Sequence, residues 1–265
     1  MPRFAANLST MFPELNVVDR FRAAADAGFQ AVEFLQPYDW PIEEFSSWLA
    51  EAGLEFVLLN TLGRLKTDLE LGAGILPGRE GEFREIINLA LQIIKSLGGS
   101  MVHVTSGSVP DCMSSATCEQ TFIDNMSVAA TAAAAQDVTL LLEPLNRRDH
   151  PGYLHSSTAE TRRLIELIGA PNVKLQYDFY HLQISQGDHR QHLVSNLDVI
   201  GHIQFSSVPG RHEPQYGELN MALLFDYLDE IGYDGWVGAE YTPKGATLDG
   251  LAWGRPYGIK HTNYT

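Results

Sequence analysis

Cations and cysteines are scarce in this chain, and it contains no apolar run long enough for a bilayer. Of 265 residues, 18 are Lys or Arg against 33 Asp or Glu, a formal net charge of −15 at pH 7. The summed field of such a chain repels phosphate backbones and anionic lipid surfaces, both of which are bound through clustered Lys and Arg. Nucleic acid and membrane are therefore not expected partners. No stretch approaches the ~18 consecutive apolar residues of a membrane span. Met1–Asn7 turns polar at once, without the apolar segment of about 7–15 residues that a secretory signal carries, which predicts a cytoplasmic location. The two cysteines, Cys112 and Cys118, match neither the Cys-x-x-Cys redox spacing nor a zinc pattern, and are read as free thiols.

What remains is an ordinary globular composition, 45% apolar and 19% charged, at a length close to the roughly 250 residues of one (β/α)8 barrel. Short β-branched or aromatic runs alternate with longer amphipathic or Ala-rich segments about eight times, which signals a parallel sheet wrapped by helices. Strands are expected near Phe4–Leu8, Ala31–Phe34, Glu55–Asn60, Met101–Thr105, Val138–Glu143, Val173–Asp178, Ile200–Phe205 and Trp236–Glu240. Pro41 opens a helix, Ser157 and Glu160 have capping-box spacing, and Gly28, Gly53, Gly98 and Gly232 follow helical runs as C′ glycines. No linker interrupts the pattern, so the expected fold is a single-domain (β/α)8 TIM barrel. The run Ala129–Ala135 reads as a helix packed closely on the barrel. Gly72-Ala73-Gly74-Ile75-Leu76-Pro77-Gly78 has the third glycine one position late for a phosphate loop, and is expected instead to be a mobile loop over the barrel mouth.

In such a barrel the active site lies at the carboxyl ends of the strands, so the residues that end each apolar run carry the information. Leu140-Leu141-Leu142-Glu143 ends in a carboxylate. So do Val173-Lys174-Leu175-Gln176-Tyr177-Asp178 and Trp236-Val237-Gly238-Ala239-Glu240, while His202-Ile203-Gln204 places an amide on the strand between the last two. One acidic strand end is more often a solvated rim residue or a helix cap. Four oxygen-bearing ends on neighbouring strands converge, and three carboxylates at close range repel unless a cation sits among them. With Gln204 offering its carbonyl oxygen the set is all oxygen, which suits Mg2+ or Mn2+ better than Zn2+. His181, three residues past Asp178, is open to three readings: ligand, donor to a ligand, or substrate contact.

These strand ends and their neighbours resemble the hydroxypyruvate isomerase family, a branch of the xylose-isomerase-like barrels. The matching stretches are Arg3–Ser9, Gly28–Phe34, Pro37-Tyr38-Asp39, Ile75–Glu80, Leu142-Glu143-Pro144-Leu145-Asn146, Gln176-Tyr177-Asp178-Phe179-Tyr180-His181, Gly201-His202-Ile203-Gln204, Gly217-Glu218-Leu219-Asn220 and Gly235–Tyr241. The resemblance implies metal ligation by Glu143, Asp178, Gln204 and Glu240, with Glu143 and Glu240 also acting as the acid/base pair. It implies an intramolecular oxidoreductase that interconverts hydroxypyruvate and tartronate semialdehyde through an enediolate. Arg211, in the loop after the seventh expected strand, offers a bidentate fork for the substrate carboxylate. His103 either faces the mouth or is a hydrogen-bonded core histidine. Asn7 and Glu33 are candidate substrate contacts or supports of the ligands. A homo-oligomer is left open, since no single patch in the sequence decides it.

The chain departs from the family pattern where the substrate is expected. Leu59 stands in place of a His before Asn60, Ser108 in place of a Lys, and Ser207 in place of an Asp. A 2-oxo-tetronate is therefore an alternative substrate. Among rivals, a ketose 3-epimerase shares the barrel and the metal but usually has His where Gln204 stands. An abasic-site endonuclease needs more histidines and a basic groove. A non-catalytic barrel would have no need of both Glu143 and Glu240.

Overall fold

Each short run of Val, Ile, Leu and aromatic residues becomes a parallel strand, and most of the longer amphipathic runs become helices laid over it. The computed structural model describes residues 1–62 and 72–260. Its strands are β1 (Arg3–Asn7), β2 (Ala31–Glu33), β3 (Glu55–Phe56), β4 (Leu58–Asn60), β5 (Met101–His103), β6 (Thr139–Leu142), β7 (Val173–Asp178), β8 (Ile200–Phe205) and β9 (Trp236–Ala239). They form one parallel sheet in the order β3-β2-β1-β9-β8-β7-β6-β5-β4. The end strands β3 and β4 are the two halves of the expected strand Glu55–Asn60, interrupted at Val57. Since β3 pairs with β2 and β4 with β5, the sheet closes on itself through that segment. The seam carries Val57 N to Val32 O at 2.9 Å, Phe34 N to Leu58 O at 3.1 Å and Asn60 N to Leu35 O at 2.8 Å. The result is the expected eightfold TIM barrel.

The wrapping helices are α1 (Val17–Asp26), α2 (Ile42–Ala52), α3 (Glu80–Ser96), α4 (Ser115–Ala134), α5 (Thr158–Ile168), α6 (Phe179–Ser185), α7 (His189–Asn196), α8 (Met221–Glu230) and the short α9 (Thr247–Gly250). Pro41 immediately precedes α2, and Gly53 ends it at φ +67°, a left-handed conformation that costs glycine little. Ser157 caps α5 by accepting the Glu160 N–H at 3.2 Å. Glu160 reaches back to the N–H of Ser156 rather than of Ser157, at 2.6 Å. Ala129, Ala130 and Ala133 of α4 are buried, as close packing of that run requires. No described helix is long and apolar enough to cross a membrane. Cys118 is buried and Cys112 exposed, both free.

Strand alternation sorts the side chains into two layers. Val32, Leu59, Val102, Leu140, Leu142, Leu175, Ile203 and Val237 point outward into the large cluster shared with the helices. Leu59 therefore sits in the barrel–helix layer, and its position does not explain a change of substrate. Ala5, Ala31, Val57, Leu58, Leu141 and Trp236 form a small apolar plug inside the barrel. The inward-facing Asn7, Glu33, Gln176, His202 and Gln204 lie above that plug.

The stretch beginning at Gly72 is not the mobile loop over the mouth that its glycines suggest. Ala73–Ile75 form one buried 3-10 turn, and the Asn125 side chain donates to the Gly74 carbonyl at 2.9 Å. Gly72 presses so closely on the Ser106 carbonyl that a Cβ would lie 2.2 Å from that oxygen. Gly72 and Gly74 serve close packing, a use that composition does not distinguish from flexibility.

Candidate active site

Above the apolar plug, Glu33 at the end of β2 is fully buried and gathers three donors. Its Oε2 accepts from Asn7 Nδ2 at 3.1 Å and from Gln204 Nε2 at 2.8 Å, and its Oε1 makes a short contact with His202 Nε2. A buried carboxylate is tolerable when its lone pairs are used in this way. Asn7 Oδ1 in turn accepts the Ser9 N–H at 3.1 Å. Both Asn7 and Glu33, expected as substrate contacts or supports, are thus committed to one another and to Gln204, and act as supports beneath the mouth. Gln204 Oε1 accepts from Gln176 Nε2 at 2.5 Å. An amide oxygen has two lone pairs, so one remains for a ligand.

The carboxylate of Glu33 occupies space that any β-carbon on β9 would claim. A Cβ built on Gly238 lies 2.1 Å from Glu33 Oε1. Gly238→Ala is expected to lower stability by about 1–3 kcal/mol through overpacking, read as a reduced urea midpoint at unchanged m-value.

At the mouth, Glu143, Asp178 and His181 each direct one ligand-type atom into a common space, all within 4.8 Å of one another. Asp178 ends β7 and caps α6, its Oδ1 accepting the Tyr180 N–H at 2.8 Å. Asp178 Oδ2 and Glu143 Oε1 are buried with no hydrogen-bond partner among the described residues. Glu143 Oε2 lies 3.5 Å from His103 Nδ1. His103 therefore faces the site as well as being buried. Burial holds its imidazole down to about 3, so the ring beside Glu143 is neutral.

His181 has its tautomer set by the chain. The backbone N–H of Asn146 donates to Nδ1 at 3.2 Å, and the Asn146 side-chain amide lies 2.8 Å from the same atom. Burial, then the nearby Arg211 charge, hold the ring well below the usual histidine range. A neutral ring that accepts at Nδ1 carries its proton on Nε2, here 3.7 Å from Asp178 Oδ2. Of the three readings of His181, this geometry disfavours the ligand, because giving the Nε2 lone pair to a metal would set an Nδ1–H against two N–H groups; Nε2 is left as a donor, to Asp178 or to a substrate oxygen.

Glu240 follows β9 on the far side of the mouth. Its Oε2 accepts from Arg211 Nη2 at 2.9 Å, and the same nitrogen lies 3.7 Å from Asp178 Oδ2. Arg211 is held at φ +50° and stacks over the Tyr180 ring at 4.6 Å. Among the described residues it is the one Lys or Arg ion-paired to the mouth carboxylates Asp178 and Glu240. The Tyr180 hydroxyl donates to Asp149 Oδ2 at 2.7 Å. The Ser207 hydroxyl accepts the His212 N–H at 3.0 Å and so supports this loop.

Crowding of like charge in a dry site raises all three carboxylates. Glu143 is pushed well above the usual range by burial, then by Glu240 and Asp178. Asp178 is raised by burial against the pull of Arg211, and Glu240 is raised by burial to about 8. The consequence for the ion-free chain follows from linkage. Between the ordinary carboxylate value and its raised value in the folded chain, about 8 for Glu240, each group holds a proton in the folded state that the unfolded state has lost, so these groups make stability fall as pH rises. The buried His103, His155, His181 and His189 are all lowered, chiefly by burial, and oppose that slope only up to the unfolded histidine value of about 6.5. Stability of the ion-free protein is therefore expected to peak near pH ~6.5 and to decline toward pH ~8, measured by urea unfolding across that range.

Sequence reasoning took the last residue of each strand and passed over Gln176 and His202, the inward residues two positions earlier. The period of two along β7 and β8 is the signal that finds them. Asn146, Asp149 and Tyr180 lie on no apolar run and carried none.

Fold and site together define a parallel barrel whose carboxylate-lined mouth holds, among the described residues, the Arg211 guanidinium and the neutral imidazoles of His103 and His181. A family model described as xylose isomerase-like TIM barrel matches residues 21–257, and the chain belongs to that family. A 2-oxo-tetronate isomerase of Cupriavidus necator is 46% identical over 97% of this chain and 99% of its own length. The hydroxypyruvate isomerase of Escherichia coli is 39% identical over 97% and 100%. A crystal structure from Brucella melitensis named an AP endonuclease of family 2 has a TM-score of 0.93 at 42% identity, covering 97% of this chain and 99% of that one. With such relatives over nearly the full length, the protein is an isomerase of the hydroxypyruvate isomerase branch.

Proposed function

We propose that this isomerase requires a divalent cation, Mg2+ or Mn2+, and interconverts a small hydroxy-oxo acid with its constitutional isomer. Hydroxypyruvate and tartronate semialdehyde are the smallest such pair. The four-carbon 2-oxo-tetronate is a second reading, favoured by the 46% identity to an isomerase of that name. The observation that carries the proposal is that two buried carboxylate oxygens at the mouth, Glu143 Oε1 and Asp178 Oδ2, have no hydrogen-bond partner among the described residues. Unpaired buried carboxylate oxygens are costly unless a cation uses them.

Glu143, Asp178, Glu240 and the Gln204 carbonyl oxygen would hold the ion. When bound, it polarises the substrate carbonyl and lowers the cost of negative charge on the two adjacent oxygens. Glu143 and Glu240 stand on opposite sides of the mouth. One removes the proton from the hydroxyl-bearing carbon, and a proton is returned to the former carbonyl carbon, so that carbonyl and hydroxyl exchange places with no net gain or loss of atoms. His181 donates its Nε2 proton toward a substrate oxygen, and Arg211 pairs with the substrate carboxylate. His103, neutral and dry, borders Glu143 without adding charge.

Turnover of hydroxypyruvate in D2O, followed by NMR, tests the reading. A constitutional isomer that carries solvent deuterium on carbon supports it. Hydroxypyruvate that takes solvent deuterium into its CH2 group while no tartronate semialdehyde forms would point to a 3-epimerase instead.

A further inference from the structure

Two features make the placement of Arg211 costly. Its backbone is left-handed at φ +50°, a conformation that a residue with a side chain keeps only where its surroundings force it. Its guanidinium also meets Glu240, 2.9 Å away, from a loop that follows a different strand. A loop held only at its two ends would not fix that aim.

The hold comes from Arg211, His212 and Glu213 themselves, each of which is bonded to the segment that follows β9 and carries Glu240. The Thr242 N–H donates to the Arg211 carbonyl at 2.8 Å, and His212 donates from Nδ1 to the Thr242 carbonyl at 2.8 Å. The Lys244 N–H donates to the Glu213 carboxylate, 3.2 Å from Oε1 and 3.3 Å from Oε2. This last bond is the unusual one, because Glu213 is buried, and a carboxylate taken out of water is costly. The chain makes room for it with a glycine: a Cβ built on Gly250, in α9, would lie 2.2 Å from Glu213 Oε1. Gln215 fastens the same point by donating to the Gly250 carbonyl at 2.9 Å. The Arg211 guanidinium pairs with Glu240 and Asp178, so Glu213 acts on it through the backbone and not as a counter-charge.

We propose that Glu213 is a positioning residue for the isomerisation. With His212 it straps the loop after β8 to the segment after β9, and so keeps Arg211 aimed at Glu240 and at the substrate carboxylate. The inference rests on the proposed function, in which Arg211 pairs with that carboxylate. Glu213 touches neither the acid/base pair nor the reacting carbons, so its loss acts on binding more than on the chemical step.

The experiment is a double-mutant cycle of Glu213→Ala with Arg211→Met, each variant first shown to fold by circular dichroism. It is read by steady-state kinetics of the Mn2+-loaded enzyme, by Mn2+ affinity, and by calorimetry with glycerate, an acid that has no carbonyl to isomerise. Glu213→Ala alone is expected to raise KM about ten-fold and to change kcat less than about three-fold, the mark of a binding group that has lost its aim. Glycerate should bind more weakly by a similar factor. Mn2+ should bind more tightly, because a loosened guanidinium competes less for Glu240 and Asp178. In the Arg211→Met background none of the three should change further, since the strap then has nothing to position. Glu213→Gln keeps an acceptor oxygen for Lys244 and should lie closer to wild type than to Glu213→Ala. His212→Leu removes another bond of the strap at a half-buried position and should shift KM in the same direction by a smaller factor. It takes the place of Glu213→Ala in the cycle if that variant does not fold. Effects as large in the Arg211→Met background as in the wild type, or a loss of kcat at unchanged KM, overturn the proposal and make Glu213 a general support of the fold. Coupled changes in glycerate and Mn2+ binding, in a protein that isomerises neither hydroxypyruvate nor 2-oxo-tetronate, support the strap and remove the isomerase reading instead.

Discussion

Glu240→Gln and Glu143→Gln each lower kcat by about 10²–10⁴-fold, the usual worth of a positioned acid or base, at saturating Mn2+ and with the acid still bound. Glutamine keeps the shape of the buried side chain, so the loss is not a cavity effect. It also removes one negative charge from the cluster, which weakens cation binding by itself. The two roles separate in a metal titration. If kcat recovers fully at high Mn2+, the residue is a ligand alone; if it stays depressed when the ion is bound, the residue moves the proton.

Arg211→Met moves two measured constants in opposite directions. KM for the hydroxy-oxo acid rises by about 10–100-fold, the equivalent of losing one charge-assisted hydrogen-bonded pair. Mn2+ affinity increases, because the same guanidinium lies 2.9 Å from Glu240 and 3.7 Å from Asp178 and competes with a cation for both. Met retains the apolar length of the side chain, whereas Lys would retain the charge and blur the comparison. Steady-state kinetics and Mn2+ binding followed by electron paramagnetic resonance read the two effects independently. A merely structural arginine would degrade both.

The barrel was legible because strand and helix periods are local properties. β7 and β8 match their expected spans residue for residue, Val173–Asp178 and Ile200–Phe205. The break at Val57 was not legible, since it depends on which neighbour each half of the strand pairs with. The strand-end rule singled out Glu143, Asp178, Gln204 and Glu240 as candidates, because a polar residue in or at the end of an apolar run is visible in sequence. Their arrangement was not. Glu33 meets His202 across 169 positions, and the pairing of Arg211 with Glu240 depends on a left-handed residue in a loop. The role of His181 turned on the Asn146 N–H, a backbone direction that no residue type encodes. Gly72 and Gly74 misled because glycine permits close packing as readily as motion.

The most direct test of the central claim is a metal titration of the stripped protein, with turnover of hydroxypyruvate and 2-oxo-tetronate followed as Mn2+ or Mg2+ is added. Activity that is negligible without the ion, rises to saturation at one ion per chain, and stays lost in Glu240→Gln with the ion bound is the predicted result. Full activity in the stripped protein, or ion-saturated protein that isomerises neither acid, would contradict it.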